Sequence, residues 1–293
     1  MQALERAISD LGDPLSLVEL RDLDAQKVAV VRWQHGDKQY ETSDADALRV
    51  VLNVRGTYAS CNVEADHVMR TCFVPGHVVA CPPGRSCQTT LEGSADVVKI
   101  YIDAANLGHP AWRPDLPSMA VADGTVRAAA VTTFVAAQAG DGPCSRHAAT
   151  ALQRTACKHL LSQAQTTARS YKGGLRPAAR RRAERLVERR LDEQGRLPGL
   201  GELAAEARLS VNQFIRAFRQ MTGTTPHQHV MAFRQQRAMA LLSEPGFSVS
   251  DVADLLGFSS PAHFVASFRQ RLGVTPGAYQ DAVLSAGQRV ARL

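Results

Sequence analysis

Cysteine is scarce, six in 293 residues, which excludes a disulfide-stapled scaffold and fits reduced thiols. Proline and glycine number 14 and 21 beside 45% hydrophobic and 21% charged residues. That balance excludes a disordered or fibrous chain. No run reaches the roughly 18 apolar residues of a membrane-spanning helix. The best stretch, Ala128 to Ala139, is twelve residues long with Thr and Gln inside it. Residues 1–17 scatter their charges and hold no apolar signal-peptide core. A soluble cytoplasmic protein with no membrane partner is the expectation.

What is present is more informative. The length is about twice that of a typical domain, so two or three domains are expected. Charge divides them. Residues 1–170 carry 16 Lys and Arg against 18 Asp and Glu, whereas residues 171–293 carry 18 against 10. The net charge of +6 therefore belongs to the C-terminal part, as expected of a polyanion-binding module joined to a near-neutral partner.

Between about Val28 and Ile102 the apolar runs are short and β-branched: KVAVVRW, ALRVVLNV, HVVAC and DVVKIYI, with HGD, RGT, VPG and CPPG as turn signals. These read as strands of a small barrel or sandwich. From Thr125 to about Tyr171 the pattern becomes Ala-rich and helical. Ala149, Leu152, Ala156, Leu160 and Ala164 form one stripe. It fits either packing on the chain's own sheet or a helix-to-helix dimer seam. SYKGGLRP, residues 170–177, reads as a linker. Beyond it Ala183, Leu186, Val187 and Leu191 define an apolar helix face.

The C-terminal part contains a duplication. SVNQFIRAFRQMTGTTP (210–226) and SPAHFVASFRQRLGVTP (260–276) share eight of 17 positions at an interval of 50 residues. Ser210 and Ser260 are expected N-caps, Gly223 and Gly273 left-handed helix ends, and each Thr-Pro the start of another helix. Short helices precede both copies, and Ser248 with Asp251 has capping-box spacing. A short helix, a turn and a longer capped helix make a helix-turn-helix, whose second helix enters the DNA major groove. The expected motifs span about 200–222 and 249–272.

Helical spacing places Val211, Phe214, Phe218 and Met221 in the core of the first long helix. Asn212, Gln213 and Arg216 then face base edges, while Arg219 and Gln220 reach phosphates. The matching positions of the second copy are Ala262, His263 and Ala266 for bases and Arg269 and Gln270 for the backbone. Only His263 has a long polar reach there, so a thymine methyl contact through Ala and a mainly backbone-holding role both remain open.

The string from Gly257 to Tyr279, GFSSPAHFVASFRQRLGVTPGAY, and its first copy resemble the DNA-binding domain of the AraC/XylS family of bacterial transcription regulators. The resemblance covers about Leu200 to Tyr279 and implies two helix-turn-helix subdomains joined by a long helix near Pro226 to Leu242. FVPGHVVACPPGR resembles the strand-turn-strand of the family's cupin-like effector domains. The implied fold class is α+β, an N-terminal cupin-like β-barrel with a helical dimerisation segment (Leu152, Ala156, Leu160, Ala164) and a C-terminal all-α domain. The implied division is 1–170, linker 171–177, and 178–293. The implied partners are double-stranded DNA, an unidentified small-molecule effector, RNA polymerase, and a second copy in a homodimer. Neither a cofactor nor an enzymatic activity is called for, and no His-x-His pair of the enzymatic cupins is present.

Cys61, Cys72, Cys81 and Cys87 lie close in sequence, with His67 and His77 among them. Their spacings of 11, 9 and 6 match no paired-cysteine zinc pattern, so no metal is expected and burial in strands is the simpler fate. A rival reading is a DNA-repair methyl acceptor of the Ada type, which couples a reactive cysteine to an AraC-like helical pair. An RNA-binding or nucleoid protein lacks support because stacking aromatics and extended basicity are missing.

Overall fold

The computed structural model describes residues 14–43, 47–64, 67–73, 75–83, 86–103, 120–121, 124–167, 197–222 and 225–289, with Glu5 and scattered positions between 179 and 190. The expected linker at 171–177 lies outside the described residues. Strands come first: β1 (Ser16–Arg21), β2 (Lys27–His35), β3 (Lys38–Ser43), β4 (Ala47–Glu64), β5 (His67–Phe73), β6 (Val78–Cys81), β7 (Ser86–Asp103) and β8 (Ala120–Val121). They form one sheet in the order β1-β2-β7-β4-β6-β8, with β3 on β7 and β5 on β4. Among the described residues no ladder joins β1 to β8, so closure into the expected barrel is not part of the described pairing.

The four expected runs fall on β2, β4, β6 and β7. One turn signal is corrected. RGT does not reverse the chain; β4 runs through it with a register shift between Asn53 and Arg55. Gly56 has φ of +74°, and a Cβ there would lie 2.3 Å from the Ser94 carbonyl oxygen on β7. This is a β-bulge that only glycine fits, and it bends the long strand.

Register separates two faces. One carries Val28, Val30, Leu48, Val50, Leu52, Val98, Ile100 and Ile102, all buried in the main core. The other carries Trp33, His35, Arg49, Val51, Val97, Lys99 and Tyr101, also buried. Strands buried on both faces account for the near-continuous apolar runs in the sequence.

Helices α1 (Gly124–Ala137) and α2 (Pro143–Thr167) cover the first face. The stripe Ala149, Leu152, Ala156 and Leu160 is fully buried in that core. The expected dimer seam is therefore corrected for Leu152, Ala156 and Leu160: their apolar face is spent on the chain's own sheet and α1. Ala164's side chain lies outside the described residues.

Among the described residues, six helices with defined bounds follow the scattered helical positions of 179–190: α3 (Leu200–Glu206), α4 (Val211–Thr222), α5 (Pro226–Ser243), α6 (Val249–Leu255), α7 (Pro261–Leu272) and α8 (Pro276–Arg289). The first pair has its own small core, in which Leu203, Phe214 and Phe218 meet Ala183, Leu186 and Val187. The second pair does not. Val252, Phe264, Phe268, Leu272 and Tyr279 belong to the same core as the sheet and α1. Arg32 of β2 donates to the Val283 carbonyl of α8 at 2.7 Å and pairs with Asp96 at 2.7 Å. One core thus crosses the boundary that charge and composition draw near residue 171.

Candidate nucleic-acid interface

The two motifs are built alike. Arg208 and Gly257 take left-handed conformations, φ +59° and +66°, at the ends of α3 and α6. In each turn the next residue's N–H bonds back into the short helix, Leu209 to Ala204 O and Phe258 to Ala253 O. These equivalents lie 49 positions apart, whereas Ser210 and Ser260 lie 50 apart. The single interval expected from sequence is corrected: the second turn holds one extra residue, Ser259.

Capping fixes where the long helices begin. Ser210 Oγ accepts from Gln213 N at 3.3 Å, and Gln213 Oε1 accepts from Ser210 N at 3.1 Å. Ser260 Oγ accepts from His263 N at 3.2 Å. Ser248 and Asp251 form the anticipated reciprocal pair at 3.2 and 2.8 Å, and the hydrogen bonds from Ser248 hold the Asp251 carboxyl below its usual range. Gly273 ends α7 at φ +77°; Gly223 lies outside the described residues.

The first eight positions of α4 and α7 repeat one burial sequence. Phe214 and Phe264 are buried, as are Phe218 and Phe268, while the three opening positions and the sixth are exposed. Asn212, Gln213 and Arg216 therefore share an outward face, and Ala262, His263 and Ala266 occupy the same positions on the other helix. Val211 is corrected. It is 39% exposed because it opens the helix ahead of the Phe214–Phe218 face.

Gln213 is partly committed to the Ser210 cap. His263 is held by Ser259 Oγ at 3.0 Å and meets Phe258 edge-on. Arg269 and Gln270 are exposed toward the end of α7. The side chains of Arg219, Gln220 and Met221 lie outside the described residues.

Two further arginines shape the motifs, and sequence reasoning missed both. Arg234 of α5 donates to the Leu256 carbonyl at 3.0 Å and lies 3.6 Å over the Phe258 ring. Arg182 donates to the Glu206 carbonyl at 3.1 Å. Each places a cation at the C-terminal end of a short helix, where unpaired carbonyls and the helix dipole favour it. Their only signal was a surplus of Arg.

The cysteines do not assemble a described site. Cys81 is buried and forms no disulfide, and the Arg49 guanidinium lies 3.6 Å from its sulfur. The side chains of Cys61, Cys72, Cys87 and His67 lie outside the described residues. Among the described residues no His, Cys, Asp and Glu group large enough for a metal occurs, and no helix is long and apolar enough to cross a membrane.

Residues 203–282 match a family described as a helix-turn-helix domain. Over 81 residues the chain is 40% identical to a probable transcriptional regulator, LumQ, of Photobacterium leiognathi, covering 28% of this chain and 33% of that protein. It is similar, at 33% identity with a TM-score of 0.31, to the DNA-binding domain of the global transcriptional factor AdpA solved with a target DNA, covering 38% of this chain and 96% of that one. An AraC-type regulator structure from Chromobacterium violaceum is 26% identical, covering 36% of this chain and 93% of that one, with a TM-score of 0.33. The matches span about a third of the length of the curated relatives. Within residues 203–282 the chain carries a helix-turn-helix domain of AraC type.

Proposed function

We propose that this protein is a sequence-specific DNA-binding transcription regulator. The observation that carries the reading is the repeated exposure pattern of α4 and α7 within the basic half of the chain. Two capped helices present an outward face, with Asn212, Gln213 and Arg216 on one and His263 between two alanines on the other, while their Phe faces are buried, as major-groove entry requires. In this reading Asn212, Gln213 and Arg216 read base edges, with Ala262, His263 and Ala266 as the second set. Arg219, Gln220, Arg269 and Gln270 hold phosphates.

The remaining assignments follow from that reading. Residues 1–170 form an effector domain of cupin-like type, 171–177 a linker, and 178–293 the DNA-binding domain. A small molecule in the first controls the second, and RNA polymerase is the machinery acted on. A homodimer would use a surface other than the Leu152 stripe.

The test is titration of the full chain with duplex DNA at rising salt. Affinity should fall about a thousandfold or more between 50 and 200 mM if six or more phosphates are neutralised. Salt-independent binding, or none, ends the reading.

A further inference from the structure

The Arg-rich stretch ahead of the first motif has no part among the readers and anchors proposed for α4 and α7. Residues 203–282, which match the helix-turn-helix family, carry seven Arg, no Lys and five Asp or Glu. The thirteen residues 178–190 alone carry six Arg and two Glu. The basicity of the C-terminal half is therefore densest outside the matched residues, although neutralising phosphates is what binding to a polyanion chiefly requires.

The described positions of this stretch are helical, and burial sorts them. Ala179, Ala183, Leu186 and Val187 are buried in the small core of the first motif. Arg182 donates to the Glu206 carbonyl at the end of α3, and Arg190 pairs with Glu202, in the first turn of α3, at 3.0 Å. The stretch thus runs antiparallel along α3, and two of its cations are spent on that helix.

Arg185 and Arg189 are exposed instead. They follow Arg182 by three and seven positions, a spacing that puts all three on one flank of the helix. Arg182 heads that flank and touches α3, so the flank borders α3. The side chains of Glu184 and Glu188 lie outside the described residues.

In a helix-turn-helix the second helix enters the major groove while the first crosses the sugar-phosphate backbone. Here α3 is that first helix, so a flank beside it is aligned with backbone and not with base edges. We infer that Arg185 and Arg189 hold DNA phosphates beside the first motif, extending the contact surface beyond residues 203–282. The inference rests on the DNA-binding reading and deepens it by adding a phosphate-holding surface outside the two motifs. A guanidinium keeps its charge at any working pH, and its planar fork matches two phosphate oxygens. Such contacts displace counterions, so they set affinity and salt dependence and read no sequence.

The experiment compares the full chain with Arg185→Gln/Arg189→Gln and, as a control of equal charge change, Arg154→Gln/Lys158→Gln, whose targets are exposed on α2. Affinity is measured across a range of salt for a mixed-sequence duplex and for duplexes that the wild type selects from a random pool. In the first variant the log–log salt slope should shrink by about 1.8, roughly 0.9 for each lost phosphate, with the same loss on both kinds of duplex. The control should keep the wild-type slope, and Arg185→Lys/Arg189→Lys should restore most of it. Should the double Gln variant fail to fold, each single variant should remove about half of the change. An unchanged slope overturns the inference and leaves these arginines to solvent or to an acidic protein surface. An equal loss in the control also overturns it, because net charge and not contact would then be responsible. A loss confined to the selected duplexes replaces phosphate holding with base reading. A wild type that binds no duplex ends the DNA-binding reading itself, before any variant is compared.

Discussion

The hydroxyl of Thr132, midway along α1, donates a 2.9 Å hydrogen bond to the carbonyl of Leu272, the last residue of α7. A side chain beside the sheet thereby satisfies one of the free carbonyls at the end of the second motif's long helix. The next residue, Gly273, has φ of +77°, and a Cβ on it would lie 2.5 Å from the same Thr132 oxygen. Glycine is needed there twice, for the left-handed helix end and for the approach of α1.

Thr132→Val should therefore cost about 1 kcal/mol, the worth of a typical hydrogen bond, in urea unfolding of the full chain. Gly273→Ala should cost more, about 1 to 2 kcal/mol from backbone conformation alone before the clash is added. Combined with Thr132→Ala, part of the Gly273→Ala penalty should vanish. Strict additivity in this cycle would show that the two sites do not touch.

Arg32 offers a second test of the shared core. Its side chain is 3% exposed and joins Asp96 to the Val283 carbonyl, so Arg32→Met leaves a largely buried carboxylate and a carbonyl without their cation. The expected loss is about 3 to 5 kcal/mol, with Arg32→Met/Asp96→Leu recovering a good part of it. Equal losses in the single and double variants would assign the cost to packing instead.

The His35 environment predicts a pH dependence. With its ring stacked on Trp33 and its folded pKa pulled from 6.5 to about 3 by burial and the nearby Lys99 and Lys38, the ring stays neutral in the fold while the unfolded chain takes up a proton below about pH 6.5. Folding stability should thus decline as pH falls through that window, by up to roughly 1.4 kcal/mol per unit from this group, and be unaffected above it. His35→Phe keeps a ring against Trp33 and should flatten the slope between pH 4 and 6.5 relative to wild type. Parallel slopes in the two proteins would refute the assignment.

At the proposed DNA face, Arg216→Ala should lose about 1 to 3 kcal/mol on one operator and relax preference at a single base pair. Arg269→Ala should weaken operator and random duplex alike. Competition binding with both duplexes checks the pair, and the division into readers and anchors fails if the variants behave identically.

The helix-turn-helix pairs were legible because capping, turn and core signals are local and occur twice. Ser210, Ser260 and both pairs of Phe sit where spacing puts them. Gly56 was misread because a turn and a bulge make the same demand, a positive φ, and only the long pairing of β4 with β7 tells them apart. Arg32 falls in the strand run KVAVVRW, but its carbonyl partner, Val283, is 251 residues away. The same distance problem hid Thr132, which looked like a polar interruption in an apolar helix. Periodicity reveals that a helix has an apolar face; it does not reveal what covers that face.

That last point carries the clearest prediction about assembly. Leu152 and Leu160 are fully buried between α2, α1 and the sheet, so Leu152→Glu/Leu160→Glu forces two carboxylates into a packed core instead of across a solvent-facing seam. Each loses a Leu's packing, about 2 to 5 kcal/mol by comparison with truncation to Ala, and adds the cost of burying a charge without a partner. The sum exceeds much of the stability of a typical domain, roughly 5 to 15 kcal/mol. Circular dichroism and sedimentation should find an unfolded or aggregated protein. A folded monomer obtained from a wild-type dimer would instead restore the seam and overturn the packing described for α2.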